Sequence, residues 1–231
     1  MLFHSHEGLL MPGEAGALPK RAMRGLHVGV TGHRLNRISQ HQLNQITPQV
    51  APLLERLARA SRCIEPVLLS NLAEGSDRHF AELGLQLGYT LHAVLPRARA
   101  GYAGEFADPG SRRQFHALLA QAARITELDG HAGLAGRDYL RAGHALLDHA
   151  HLLLALWDGE PSRGTGGTAD VVDEACRRRI PVIHLSPHAR RRPRLLLPRP
   201  VGPLPGRSER RGLDTLISLL ARRAGCPGGG R

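Results

Sequence analysis

The residues with the clearest capacity for chemistry are Gly164-Thr165-Gly166-Gly167-Thr168-Ala169-Asp170, which follow the apolar run Leu152–Trp157 and the turn Asp158-Gly159. A strand ends there, a glycine-rich loop turns, and a helix beginning near Thr168 carries the chain back. Glycines let backbone approach a ligand closely, and a helix N-terminus offers unpaired N–H groups at the positive end of its dipole. Gly166, Gly167 and Thr168 therefore read as a cradle for a phosphate or carboxylate. The loop has neither the GxGxxG spacing nor the lysine of a Walker loop, so its meaning rests on its surroundings.

Two further stretches have the same strand–turn–helix setting. Gly32-His33-Arg34 places a guanidinium fork just after an apolar segment, where it would clamp a phosphate or carboxylate. Leu72-Ala73-Glu74-Gly75-Ser76-Asp77-Arg78 offers two acids and a second arginine around a turn that Gly75 permits. Ser76 and Asp77 also suit the start of a helix, whereas no local structural need accounts for Glu74. In Trp157-Asp158-Gly159 the one tryptophan of the chain would stack on a base or close the core, and Asp158, like Glu74, would take ribose hydroxyls. If the chain is catalytic, Glu74 and Asp77 are the candidate acids. His144, His149 and His151 do not share a helix face with a carboxylate, and no G-x-S-x-G elbow is present. No metal and no resident cofactor are expected.

Positioning these loops requires strands alternating with helices. The pattern predicts strands at Leu26–Thr31, Pro66–Ser70, Thr90–Leu95, Leu152–Trp157 and Ile180–Leu185, with a weaker one at Ile125–Leu128. Between them lie five expected helices. The first starts at Ser39 in a capping box with Gln42 and should be kinked or split by Pro48 and Pro52. The second starts after Ser76 as N-cap and ends before Gly88. A third is capped by Ser111 after a loop, 97–110, long enough to be a lid; others run over Asp138–Ala150 and from Thr168 to Arg179. The expectation is an α/β, Rossmann-like three-layer sandwich with a mostly parallel sheet in a single domain over residues 25–186. In such sheets ligands bind beyond the carboxyl ends of the strands, so the three unusual loops would share one edge. Residues 1–24 read as a flexible leader, 187–212 as an Arg/Pro-rich linker, and 213–225 as a C-terminal amphipathic helix.

At 231 residues with 42% hydrophobic content the chain can build one fair-sized core. No apolar run approaches the roughly 18 residues of a membrane span, and Cys63, Cys176 and Cys226 are widely separated. A cytoplasmic protein with no membrane partner is expected. Of the net charge of +11, eight arginines against Glu209 place +7 between Arg190 and Arg211. That segment reads as a solvated tail or as a weak nucleic-acid contact.

The segment Ser70-Asn71-Leu72-Ala73-Glu74-Gly75-Ser76-Asp77-Arg78, followed by Ala93-Val94-Leu95-Pro96, resembles the Ser-Gly-Leu-Ala-x-Gly-x-Asp segment of the DNA-processing protein A family, with Asn71 in place of a glycine. Trp157-Asp158-Gly159, Gly164–Thr168 and Pro181-Val182-Ile183 look closer to uncharacterised bacterial members of the SLOG superfamily, in which an acid stands where this chain has His151. The resemblance spans about residues 26–186 and implies a Rossmann-like SLOG domain. The related cytokinin-activating phosphoribohydrolases carry Gly-Gly-x-Gly-Thr-x-x-Glu, whose glutamate assists base release; here that position is Val171. The resemblance therefore implies a sensor or binding domain for a nucleotide or an ADP-ribose-like ligand. A nucleotide N-glycosidase and a single-stranded DNA binder are the alternatives, and self-association into a homo-oligomer is compatible with all three.

Overall fold

Five apolar segments covered by amphipathic helices, and the polar, partly exposed edge segment 124–127, become the parallel strands of one sheet. The computed structural model describes residues 25–60, 65–130, 133–188, 190–196 and 215–220. The strands are β1 (His27–Gly32), β2 (Val67–Ser70), β3 (Thr90–Leu95), β4 (Arg124–Glu127), β5 (Leu152–Leu156), β6 (Val182–Leu185) and β7 (Arg194–Leu196). The helices are α1 (Gln40–Ala60), α2 (Ser76–Gln86), α3 (Arg99–Ala103), α4 (Pro109–Gln121), α5 (Ala135–His149) and α6 (Thr168–Arg177). Sheet order is β4-β3-β2-β1-β5-β6-β7, with every pair parallel except β6–β7. The chain winds outward from β1 to β4, then returns to β5 on the other side of β1. That reversal creates a switch point at the carboxyl ends of β1 and β5, where an α/β sheet opens a crevice.

Side-chain alternation along the strands separates two cores. Leu152, Leu154 and Leu156 face the side covered by α1, α2 and α4; Leu153 and Ala155 face the side covered by α5 and α6. The three-layer, single-domain expectation holds.

Several local expectations are corrected. Helix α1 is one continuous helix with both prolines inside it. Pro48 and Pro52 lie four residues apart on its exposed face, so the carbonyls they leave unpaired meet water while Leu43, Ile46, Val50, Leu53, Leu54 and Leu57 stay buried. The Ser39–Gln42 capping box is present, with reciprocal bonds of 2.9 and 3.2 Å. The N-cap of α2 is Gly75, not Ser76, and that of α4 is Asp108, whose carboxylate accepts the Ser111 amide at 2.6 Å. The 97–110 loop contains the short helix α3. The expected linker contains β7, which pairs antiparallel with β6 through Ile183↔Leu195. The expected leader, most of that linker and part of the last helix lie outside the described residues. Positions 215–220 are helical and bury Leu216, Ile217 and Leu220 in the α1–α2 core.

Candidate functional site

At the switch point the backbone of His33 ties the sheet to α2. Its N–H donates to the Leu156 carbonyl at 3.0 Å, and its own carbonyl accepts the Ser76 amide at 3.1 Å and the Ser76 hydroxyl at 2.8 Å. Gly75 makes this approach possible: its φ is +94°, and a Cβ there would lie 2.8 Å from the His33 oxygen. Above this junction opens a cleft of ≈ 290 Å³, bounded by the β1–α1, β2–α2 and β5–α6 turns and by residues of α3 and α5.

Of the residues singled out in the sequence, Gly32, His33, Arg34, Asp77, Gly166, Gly167 and Thr168 line this cleft. Glu74, Gly75, Arg78, Trp157, Asp158 and Gly159 do not. Arg78 is 1% exposed and turned inward; it donates to the Leu72 carbonyl at 3.0 Å and to the Ser111 carbonyl and hydroxyl at 2.9 and 2.7 Å. The guanidinium also covers the Phe106 ring at 4.2 Å. It braces α2 against α4. Glu74 accepts a hydrogen bond from the same Ser111 hydroxyl. Trp157 is half-buried, donates its indole N–H to the Glu160 carbonyl at 2.7 Å, and packs on His184. Asp158 sits one step behind the cleft, where it holds Arg37 at 2.5 Å and His33 at 3.1 Å. Burial works against the Asp158 charge, but the Glu160 amide, His33 and Arg37 outweigh it and hold its carboxyl below the usual carboxylate range. His33 moves down as well, because burial and Arg37 outweigh Asp158, so its ring is neutral at pH 7.

The glycine-rich loop is also less open than its composition implies. The Gly166 and Gly167 amides donate to the carboxylate of Asp170, at 2.7 and 3.3 Å. The loop therefore caps its own helix, and the first-turn amides left open by helix geometry are those of Thr168 and Ala169.

The structure adds groups that sequence reasoning missed. Arg37 and Arg163 line the cleft with Arg34, so its described lining holds three arginines against one carboxylate, Asp77. Arg34 stacks on Tyr139, its guanidinium carbon 4.2 Å from the ring centroid. The Tyr139 hydroxyl in turn donates to Glu105, which pairs with Arg97 at 2.9 Å; Arg97 also binds Asp138 at 3.0 Å. Tyr102, from α3, and Asn71 complete the floor. Asp77, 4% exposed, is pushed up to about 7 by burial, against the opposing pull of backbone amides and of Arg34 and Arg78. The signal for Tyr102 was present in the length of the 97–110 segment after β3; Arg37, Arg163 and Tyr139 carried no local signal.

Among the described residues no cluster of His, Cys, Asp or Glu could hold a metal ion, and no helix is long and apolar enough to cross a membrane. No protein-family model and no curated protein matches the chain. Solved structures do. DNA processing protein A from Helicobacter pylori, described for its single-stranded DNA binding mode, is 15% identical over 87% of this chain and 82% of its own, with a TM-score of 0.50. The Streptococcus pneumoniae protein of that name is 14% identical with a TM-score of 0.49; the match covers 84% of this chain, which spans only 56% of that longer one. The molybdenum cofactor carrier protein from Chlamydomonas reinhardtii is 18% identical over 72% of this chain and 80% of its own, with a TM-score of 0.42. At such identities the likeness is one of architecture: the chain carries a Rossmann-like α/β fold, as the Helicobacter pylori protein does.

Proposed function

We propose that the chain binds a nucleotide or a nucleotide-derived phosphorylated ligand in the switch-point cleft. The observation that carries this reading is the convergence of Arg34, Arg37 and Arg163 with the first turn of α6 around a lining whose one carboxylate is a buried group raised to about 7. Guanidinium forks and first-turn amides supply donors for phosphate oxygens. A volume of ≈ 290 Å³ lies at the lower edge of small-molecule pockets. It matches the phosphate and sugar of a mononucleotide, with a base or second phosphate reaching outward. Titration calorimetry of the full chain against AMP, GMP, ADP-ribose and an oligothymidylate tests the reading. Binding of a mononucleotide or of ADP-ribose that Arg34→Gln weakens at least about tenfold supports it. No binding below the millimolar range overturns it, and binding of the oligothymidylate alone moves the function to nucleic acid.

A second reading, cleavage of an N-glycosidic bond, is favoured by Asp77 alone. A buried carboxyl poised near neutrality suits a general acid or base, whereas Glu74 lies outside the cleft lining. Chromatography for free base after incubation with nucleotides decides it, with Asp77→Asn expected to abolish release.

A further inference from the structure

The cleft changes character with depth. Its outer wall carries Arg37 and Arg163, but its floor is made of groups that are neutral or nearly so: Tyr102, Asp77 and Asn71. Tyr102 is 0% exposed and wedged edge-on against Phe106 and Phe115, with ring centroids 5.0 and 5.5 Å away. Its ring is fixed by this packing, yet its hydroxyl has no hydrogen-bond partner in the described structure. A buried hydroxyl left unpaired costs about 1–3 kcal/mol, so the site is completed by a group that the chain does not supply.

The neighbours define what that group is. Asp77 takes a long bond of 3.4 Å from the Ala73 amide through one oxygen and is also reached by the Asn71 backbone amide. Burial holds its titration near neutrality, so this carboxyl both donates and accepts. Asn71 commits its amide nitrogen to the Val94 and Ala142 carbonyls, at 2.7 and 3.2 Å, which leaves its carbonyl oxygen to offer. Arg34 stands at the boundary between wall and floor, acting electrostatically on both Tyr102 and Asp77. A phosphate oxygen needs donors alone and suits the arginine wall. A floor of a phenol, a carboxyl that shifts between its protonated and ionised forms near pH 7 and an amide oxygen suits a partner that donates and accepts at once, which is the chemistry of a sugar hydroxyl.

We infer that the floor is a hydroxyl-binding pocket in which Tyr102, Asp77 and Asn71 grip the sugar of a phosphorylated ligand, and that Tyr102 sets the preference for a sugar phosphate over phosphate itself. The inference rests on the phosphorylated-ligand reading and adds to it the identity and orientation of the part that is buried.

Calorimetry on the full chain with two probes, ribose 5-phosphate and inorganic phosphate, tests it in wild type, Tyr102→Phe and Arg34→Gln. Wild type is expected to prefer ribose 5-phosphate by at least about tenfold, the yield of one or two buried hydrogen bonds. Tyr102→Phe removes only an unpartnered hydroxyl, so its thermal midpoint should not fall. It should lose about fivefold to tenfold of that preference while binding inorganic phosphate as before. Arg34→Gln should weaken both probes together. If Tyr102→Phe keeps the full preference, the hydroxyl takes no part in binding and the inference fails while the phosphate reading stands. Equal affinity of wild type for the two probes has the same consequence. If neither probe nor any nucleotide binds wild type, both readings fall.

Discussion

Helices α2 and α6 begin at the same cleft, each after a parallel strand and a glycine, and each carries an aspartate in its first turn. The two aspartates have opposite fates. Asp170, third in its helix, reaches back to the Gly166 and Gly167 amides and supplies the carboxylate half of a capping box, Gly167 having no side chain to return the bond. Asp77, second in its helix, is one position too early to reach back to the N-cap amide of Gly75, and takes the Ala73 amide at 3.4 Å instead. The α2 turn is instead braced from a distance, by His33 through Ser76 and by Ser111 through Arg78. It also keeps Leu72 at a φ of +54°, a strained setting for a side-chain-bearing residue. A self-contained turn uses its loop amides internally. A braced turn leaves its acid facing the cleft. The conspicuous glycine-rich loop is therefore partly closed, and the plainer turn holds the titrating group.

The strongest way to break this contrast is to remove the brace. Arg78→Ala deletes three donors at under 3.1 Å and a ring contact from a site that is 1% exposed. Lost carbonyl partners and the cavity together should cost about 3–4 kcal/mol in urea unfolding. Unchanged stability with weaker ligand binding would instead put Arg78 among the ligand contacts.

Asp77 gives the next effect, with a definite sign. Its folded pKa of about 7 lies above the ordinary value of 3.8. Between those values the folded state holds a proton that the unfolded state has released. Stability is then fully present below about pH 4 and falls as pH rises through 7, by about 1.4 kcal/mol per unit over that window. From pH 5 to 7 the wild type should lose about 2–3 kcal/mol from this group, and Asp77→Asn should flatten the profile and be the more stable protein at pH 8. Parallel wild-type and Asp77→Asn profiles would show that the carboxylate ionises without penalty.

Smaller again is the glycine pair in the β5–α6 loop. Gly166 has a φ of +83° and a Cβ there would lie 2.4 Å from the Gly136 carbonyl, whereas Gly159, at +92°, has open space. Alanine at 166 should cost about 2 kcal/mol or more and at 159 about 1 kcal/mol, in thermal unfolding. Equal costs would mean that the loop moves off α5 freely.

How much of this was legible in the sequence depended on the range of the interaction. Strands such as Leu152–Leu156 and the apolar stripe of α1 were readable because periodicity is local, and they fixed the fold and the edge at which ligand loops collect. Pro48 and Pro52 misled because a helix anchored by six buried side chains tolerates unpaired carbonyls on its wet face. Strand β7 was hidden in an arginine-rich stretch, since pairing with β6, and not its own pattern, makes it a strand. At the site, Arg34 and Asp77 were found because they follow strand ends. Arg78 and Trp157 were assigned to the ligand because nothing in the sequence says which way a side chain beside a turn will point. Tyr102 and Tyr139 come from α3 and α5 and meet Arg34 only through the packing of those helices beyond the sheet edge.

The smallest change bears most directly on the contrast between the two turns. Asp170→Ala removes the cap of α6 and should cost about 1 kcal/mol, measured by thermal unfolding without added anion. It also frees the Gly166 and Gly167 amides and withdraws a negative charge from the lip of an arginine-lined cleft. Inorganic phosphate should therefore bind the variant several-fold more tightly than wild type and restore much of its thermal midpoint, since a ligand stabilises the state it binds. Asp170→Asn, which keeps an acceptor for the amides but no charge, should fall between the two in both measurements. If phosphate binds Asp170→Ala no better than wild type, the two glycine amides lie outside the ligand's reach. The anion would then rest on Arg34, Arg37, Arg163 and the open amides of Thr168 and Ala169, with the glycines serving only to turn the chain.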